Sequence, residues 1–328
     1  MKTRRKFIIA GGAGLCLLAA PMASIAQQQG KVWRVGYLSR RAGEARDKVF
    51  LTSLRELGYV EGQNIVIEWR FAKGKADLLP ELAADLVRLK VDCIVANGTI
   101  ASHAAKKATS TIPIVMGNSD DDPVRQGLVA SLARPGGNIT GFSNISADLA
   151  GKRLQLLKET LPKASRVAMI WDPDSRPAMG YVRETEVAAR ALGVQLQSLE
   201  VRDPEELENA FRAAGKGSAE ALIVVGTGVL ANDPARIVNL AIKARLPAIY
   251  NGPSWTLAGG LMSYGSNSAD QYRHVATYVD KILKGVKPSD LPIEQPMKFE
   301  LVINLKAAKQ IGLTIPPNML ARADKVIE

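Results

Sequence analysis

Residues 203–244 read DPEELENAFRAAGKGSAEALIVVGTGVLANDPARIVNLAIKA and contain the unit from which the fold is built. The Asp-Pro pair at 203–204 is typical of a helix start. An apolar stripe at helical spacing follows: Leu207, Ala210, Phe211 and Ala214. The apolar run 222–225 predicts a short buried strand, and a second Asp-Pro pair at 233–234 begins the next helix. This stretch therefore predicts helix, strand and helix in an α/β fold.

The same alternation occurs twice along the chain. The first series has predicted strands at 33–38, 65–69, 93–96 and 112–116, and predicted helices at 47–57, 77–90 and 100–108. The second series has predicted strands at 167–171, 194–199, 222–225 and 248–250, and predicted helices at 177–192, 204–214 and 234–244. Short apolar strands separated by helices of this length form parallel βαβ units. We expect two doubly wound, Rossmann-like lobes.

The segment after the second series supplies further elements that one doubly wound lobe does not need. They comprise an apolar run at 261–264, a helical pattern from 268, and a last apolar strand at 299–303. We expect them to pass back between the lobes. The predicted division places 31–144 with about 266–290 in lobe one, and 145–265 with about 291–328 in lobe two.

The first 26 residues have the three parts of an export signal. A basic segment at 2–6 precedes an apolar run at 7–20, which is shorter than the ~20 residues that a membrane-spanning helix needs. Ser24 and Ala26 fit a cleavage site before Gln27. Residues 3–8, TRRKFI, also resemble a twin-arginine signal, and an ordinary secretory signal is the alternative. We expect a periplasmic protein whose signal is cleaved near Ala26.

Composition argues against several other classes of protein. Cleavage leaves 302 residues and removes four positive charges, which lowers the net charge from +11 to +7. The charged residues are spread along the chain, so we expect a cationic solvated surface and no nucleic-acid partner. Cys93 is the one cysteine that remains after cleavage, which excludes an internal disulfide.

Motifs for catalysis are weak or absent in the sequence. Residues 226–231, GTGVLA, fit a dinucleotide-binding pattern, but they follow the third strand of their lobe and lack the acidic residue expected about 20 positions later. There is no phosphate loop and no G-x-S-x-G motif. The two histidines, His103 and His274, lie on separate predicted helices without further ligands at metal spacing. We expect no enzyme activity, no cofactor and no metal ion.

Candidate ligand-binding residues of lobe one follow from the position of its strand ends. Ligands of doubly wound sheets bind outside the carboxyl ends of the strands, and two facing sheets form a cleft that closes by a hinge. The predicted residues are Ser39, Asn97, Thr99, Asn118, Ser119 and Asp120. Because residues 97–99 open a helix, its free amides and the Thr99 hydroxyl suit a carboxylate or another anion.

The equivalent strand ends of lobe two supply the rest of the predicted site. These residues are Asp172, Ser175, Gly226, Thr227, Tyr250, Trp255 and Tyr264. An amino-acid ligand needs an acidic partner for its ammonium group, for which Asp120 and Asp172 are the candidates. The three aromatic residues are candidates for stacking on an apolar body or a cation. A helix cap or turn is the alternative role for Asp172, because Pro173 follows it.

Three further stretches resemble segments shared by bacterial ABC-transporter substrate-binding proteins, a group that includes tryptophan-binding proteins. They are 130–141 (ASLARPGGNITG), 259–265 (GGLMSYG), and 298–306 (KFELVINLK) with 311–317 (IGLTIPP). The resemblance implies the type I periplasmic-binding-protein fold, with three crossovers between the lobes, and delivery of a ligand to an ABC permease. The loops at 117–123 and 226–230 depart from the group's usual pattern, so the resemblance does not name the ligand.

These observations predict a monomeric solute-binding protein. Its expected partners are a small molecule, such as an amino acid or an aromatic carboxylate, and an ABC permease in the inner membrane. A periplasmic ligand sensor that docks on a receptor kinase is the alternative.

Overall fold

The computed structural model describes residues 31–42, 44–119, 122–144 and 147–328. The predicted export signal at 1–26 and the candidate ligand residue Asp120 lie outside the described residues.

The described residues form thirteen strands and eleven α-helices. The strands are β1 (Trp33–Ser39), β2 (Ile65–Phe71), β3 (Cys93–Asn97), β4 (Ile114–Asn118), β5 (Ile139–Phe142), β6 (Arg166–Trp171), β7 (Gln195–Glu200), β8 (Ala221–Val224), β9 (Ala248–Tyr250), β10 (Met262–Ser266), β11 (Ile293–Glu294), β12 (Phe299–Asn304) and β13 (Lys325–Ile327). The helices are α1 (Glu44–Glu56), α2 (Leu79–Arg88), α3 (Thr99–Ala108), α4 (Ala150–Thr160), α5 (Arg176–Ala191), α6 (Leu207–Lys216), α7 (Pro234–Lys243), α8 (Pro253–Leu257), α9 (Ser268–Leu283), α10 (Leu305–Ile311) and α11 (Pro317–Arg322).

Lobe one is a parallel sheet in the order β2-β1-β3-β4-β5-β11 with helices on both faces. Successive strand residues point to opposite faces, so Tyr37 packs with Phe50 of α1 and Val275 of α9. Its neighbour Leu38 packs on the other face with Leu79 of α2. The order reverses between β1 and β3, which is the place where doubly wound sheets bind ligands.

Lobe two repeats this order and then extends it. Its sheet runs β7-β6-β8-β9-β10-β12-β13, and β12 is antiparallel to β10. Helices α4, α5, α10 and α11 share a hydrophobic core with one face of the sheet. Helices α6, α7 and α8 share a second core with the other face. The predicted pair of doubly wound lobes is therefore confirmed.

The chain crosses between the lobes three times, as the fold prediction required. The crossings lie between β5 and α4, between β10 and α9, and between β11 and β12. One detail differs from the predicted division, which assigned about 291–328 to lobe two. Ile293 and Glu294 pair with Gly141 and Phe142 of lobe one. Thr140 fixes this strand in place, because its hydroxyl donates to the carbonyl of Leu291 at 2.7 Å.

Candidate functional site

The predicted residues of lobe one that the structure describes form a polar cluster at the carboxyl edge of the sheet. Asn97 Nδ2 donates to Ser39 Oγ at 3.0 Å, and this bond joins the ends of β3 and β1. The hydroxyls of Thr99 and Ser119 lie 3.3 Å apart and join the start of α3 to the end of β4. The structure thus bonds side chains that the sequence separates by 58 and 20 positions.

Helix α9 contributes two side chains to this edge that were absent from the predicted site. The Tyr272 hydroxyl donates to Asn97 Oδ1. Gln271 Nε2 donates to Asn118 Oδ1 at 3.4 Å. Helix α9 begins directly after the second crossing, so it connects the crossing to the cluster. Only the tertiary structure reveals this, because α9 lies about 150 or more residues from its partners.

A half-buried cation lies next to the cluster. The Arg46 guanidinium is 5.7 Å from the centre of the Tyr272 ring, and its Nε donates to Asp47 Oδ1 at 3.0 Å. Burial acts to lower the pKa of Arg46, but Tyr272, Tyr37 and Asp47 together raise it. The guanidinium therefore stays charged, and the adjacent Asp47 carboxylate balances its charge.

The start of α3 is open. Its N-cap is Gly98, which has no side chain to accept a hydrogen bond from the amides of the first turn. The Gly98 amide itself donates to the carbonyl of Asn118 at 2.9 Å, so the loop is held while the helix amides stay available. Unpaired amides at a helix start bind anions.

Asp172 of lobe two holds its own loop. Its side chain is 3% exposed, and its two oxygens accept from the amides of Asp174 and Val229, both at 2.8 Å. This geometry is the turn and cap role that the sequence left open as the alternative. A bond between Asp172 and a ligand ammonium stays a prediction.

The other polar residues predicted in lobe two lie around this loop. Ser175 occupies the N-cap of α5, but its side chain makes no capping bond. Thr227 is buried, and within the described residues its hydroxyl has no hydrogen-bond partner. Gly226 packs against Trp255, because a side chain at 226 would lie 2.5 Å from the indole.

Two of the three predicted aromatic residues, Tyr250 and Trp255, are more deeply packed than a ligand wall requires. The rings of Tyr250 and Trp255 stack 5.2 Å apart at 10°, and the residues are only 1% and 5% exposed. Both belong to the core under α7. Tyr264 is half-buried and lies 6.2 Å from the Phe299 ring. Their role in binding stays a prediction.

Two arginines connect the lobes across the cleft. Arg40 follows β1, and its Nη2 donates to the carbonyl of Gly228 at 3.0 Å and to Asn232 Oδ1 at 3.2 Å. Arg41 Nη1 approaches the carbonyl of Asn232 at 3.5 Å. The acceptors lie in the loop after β8 of lobe two. These bonds hold the two carboxyl edges together.

A cavity of about 740 Å³ lies between the lobes, beside the predicted residues. It is bounded by the loop after β4, by the first crossing and by the first half of α5. None of the predicted site residues that the structure describes lines it, although Trp171 and Arg176, next to Asp172 and Ser175, do. Since a ligand needs volume, we place the candidate site in this cavity, with the polar cluster along the same cleft. Its size suits a small molecule.

His103 of α3 marks how closely the lobes approach near this cavity. Burial lowers the pKa of His103, and the positive charges of Lys107, Lys106 and Arg176 lower it further, against the effect of Gln126. Arg176 belongs to lobe two, so positive charges of both lobes act on this imidazole.

The described residues contain no cluster of three or more His, Cys, Asp or Glu side chains that would hold a metal ion. In the same part of the chain, no helix has the length and apolar character needed to cross a bilayer.

Comparison with known proteins gives a consistent result. The sequence profile of the family described as "ABC transporter substrate binding protein" matches residues 37–327. The chain is 26% identical over 267 residues to a tyrosine-binding protein of Clostridioides difficile strain R20291, which covers 81% of this chain and 76% of that protein.

Two solved structures show the same fold. A conserved domain protein from Vibrio cholerae O1 biovar El Tor has a TM-score of 0.83 at 27% identity, with 90% of this chain and 100% of that one covered. An ABC domain from Streptococcus pneumonia in complex with L-Trp has a TM-score of 0.81 at 24% identity, with 90% and 99% covered.

Proposed function

Because the chain belongs to the family of ABC transporter substrate-binding proteins, we propose that it captures a small molecule between its lobes and delivers it to an ABC permease in the inner membrane. Members of this family are extracellular or periplasmic solute-binding proteins and not enzymes. The observation that carries the proposal is the cavity of about 740 Å³, which residues of both lobes and of two crossings line.

The ligand that we propose is an amino acid or an aromatic carboxylate. The open start of α3 favours an anionic group. The relative from Clostridioides difficile is named for tyrosine. A screen by thermal shift, followed by calorimetry, tests the ligand class on protein that has been unfolded and refolded to remove carried-over ligand. Amino acids, aromatic acids, short peptides, sugars and purines form the panel. Absence of saturable binding to every class would contradict capture.

Closure of the cleft is the second part of the proposal. A ligand that contacts both lobes binds the closed form more tightly and shifts the population toward it. Arg40 supports the closed form through its bonds to Gly228 and Asn232. We expect Arg40→Met to enlarge the ligand-free protein in small-angle scattering and a ligand to restore compaction. Arg55→Met, which removes an exposed charge on α1, is the control. Equal dimensions in the two variants would contradict a role of Arg40 in closure.

Export and monomeric state complete the proposal. Mass spectrometry of protein from the periplasm is expected to give an amino terminus at Gln27. Light scattering is expected to give the mass of one chain. We expect the protein not to bind DNA. An unprocessed protein in the cytosol would contradict the transport role.

A further inference from the structure

The cavity between the lobes contains three arginines that differ in their pairing. Arg125 Nε lies 3.0 Å from Asp122 Oδ2, and Arg183 Nε lies 3.3 Å from Glu184 Oε1. Arg176 lines the same cavity, but within the described residues it has neither an ion-pair partner nor a hydrogen-bond partner. One cation of the cavity is therefore available to a ligand, whereas two are already neutralised.

The position of Arg176 adds to its charge. It is the first residue of α5, a helix of 16 residues, and the preceding Ser175 makes no capping bond. The partial positive charge of a helix start and a guanidinium act in the same direction on an anion. A guanidinium also matches the planar, two-oxygen shape of a carboxylate, because it donates two parallel hydrogen bonds.

Apolar surface lies beside this cation. Met179 is one turn further along α5 and is 56% exposed although it lines the cavity. Trp171 at the end of β6 and Leu132 of lobe one line it as well. An apolar ligand body that covers the Met179 side chain removes its surface from water, which favours binding.

The cavity also contains an acceptor without a donor. Asn144, in the first crossing, lines the cavity, and its Oδ1 is shielded from solvent without a hydrogen-bond partner in the described residues. A buried carbonyl oxygen without a donor is costly, so a ligand N–H that reaches it gains more than it would in water.

We propose that Arg176 pairs with the carboxylate of the bound ligand, and that the apolar surface around Met179 receives the ligand's apolar body. This inference rests on the proposed function and adds the residue that selects the ligand.

The test compares Arg176→Met with Arg190→Met. Both changes remove an exposed guanidinium from α5, but Arg190 lies in the last turn of the helix and does not line the cavity. The probes are L-tyrosine and tyramine, which differ in the carboxylate, and their binding is measured by calorimetry. We expect Arg176→Met to weaken L-tyrosine binding at least about tenfold. Arg190→Met should change it less than about twofold, because its guanidinium is outside the cavity.

The tyramine measurement isolates the carboxylate. The wild-type protein should bind tyramine much more weakly than L-tyrosine, and Arg176→Met should narrow that difference. Equal losses in the two variants, or an unchanged preference for L-tyrosine in Arg176→Met, would overturn the assignment. A wild-type protein that binds a sugar or a purine but neither L-tyrosine nor any other apolar amino acid would overturn it as well and leave the proposed function intact. If the protein bound none of the compounds tested, both the assignment of Arg176 and the proposed function would be overturned. Thermal denaturation of both variants checks folding.

Discussion

The carboxyl edges of the two sheets have the same strand order, but different kinds of hydrogen bond hold the loops of each edge in place. In lobe one, side chains bond to side chains, as Asn97 does to Ser39, and the start of α3 stays open. In lobe two, the carboxylate of Asp172 bonds to the backbone of two loops. The comparison teaches that equivalent positions of a repeated architecture serve different purposes. Changes in lobe two should lower stability, whereas changes in lobe one should have smaller effects on stability.

The largest effect is expected for Gly228→Ala. A Cβ at this position would lie 1.9 Å from Asp172 Oδ2, and the residue has a φ of +59°. Both overpacking and the left-handed backbone disfavour alanine, so we expect a loss of about 3 kcal/mol in the free energy of unfolding. Urea denaturation measures it.

The matched control for this change is Gly193→Ala. Gly193 has a similar φ of +63°, but a Cβ there meets no atom within 4 Å. We expect a loss of about 1 kcal/mol from the backbone alone. If the two variants were equally stable, the tight packing of the 226–228 loop on Asp172 would be refuted.

Asp172→Ala is expected to have the next largest effect. It leaves the amides of Asp174 and Val229 without acceptors, which should lower the free energy of unfolding by about 2 kcal/mol. Asp174→Ala, which removes an exposed carboxylate from the same loop, should change the free energy of unfolding little.

Asp172→Asn separates the structural role of Asp172 from its predicted role in binding a ligand ammonium group. A loss of affinity for an amino acid without a loss for its deaminated analogue would show that Asp172 also binds the ammonium group.

The sequence predicted the elements of both lobes well where the apolar pattern is regular. Every predicted strand and helix of the two series is present, with ends that differ by at most three residues. Helix α4 was missed because Arg153 lies within its buried stripe, next to Leu154 and Leu157. Arg153 is tolerated there because its Nε donates to the carbonyl of Tyr264 at 2.7 Å. Strand β5 was missed because Thr140 and Gly141 interrupt the apolar pattern of its four residues, whereas the equally short β8 is wholly apolar.

The site was predicted less completely, for a physical reason. Strand ends follow from local pattern, so the residues that form the lobe-one cluster were found. Residues that join the site from a distant element were not found, as Tyr272 shows by reaching Asn97 over 175 positions. Arg176 was overlooked because its lack of a partner is a property of the folded cavity and leaves no mark in the sequence.

Tyr272→Phe tests the lobe-one side of the comparison. It removes the hydroxyl that donates to Asn97 Oδ1 and leaves the ring in place. We expect a loss of about 1 kcal/mol in the free energy of unfolding. Tyr264→Phe is the control, since in the described part of the chain the Tyr264 hydroxyl makes no hydrogen bond. A loss from Tyr272→Phe as large as that from Gly228→Ala would break the proposed difference between the lobes.

The smallest effect is expected at the amino-terminal edges of the two sheets, where the lobes do not differ. In both lobes a carboxylate accepts hydrogen bonds from backbone amides at this edge. Before β3, Asp92 Oδ2 accepts from the amide of Arg34 at 2.8 Å. Before β8, Glu220 Oε2 accepts from the amides of Ser165 and Arg166 at 2.7 and 2.9 Å. These backbone bonds, with smaller contributions from the Ser165 hydroxyl and the Arg166 charge, lower the pKa of Glu220 from its ordinary value of 4.5.

Because the folded state lowers the pKa of Glu220, the carboxylate stabilises the protein above pH 4.5, and this stability is lost as the pH falls through the lower folded value. Glu220→Gln removes the charge, so the wild type should be more stable than the variant at pH 7, and the difference should shrink as the pH falls below 4.5. Urea denaturation from pH 7 to pH 3 measures the free energy of unfolding of the wild type and of the variant. Asp92→Asn, measured under the same conditions, tests whether the equivalent carboxylate of lobe one contributes as much to the free energy of unfolding. A difference for Glu220→Gln that stays constant over this range would show that the backbone bonds do not depend on its charge.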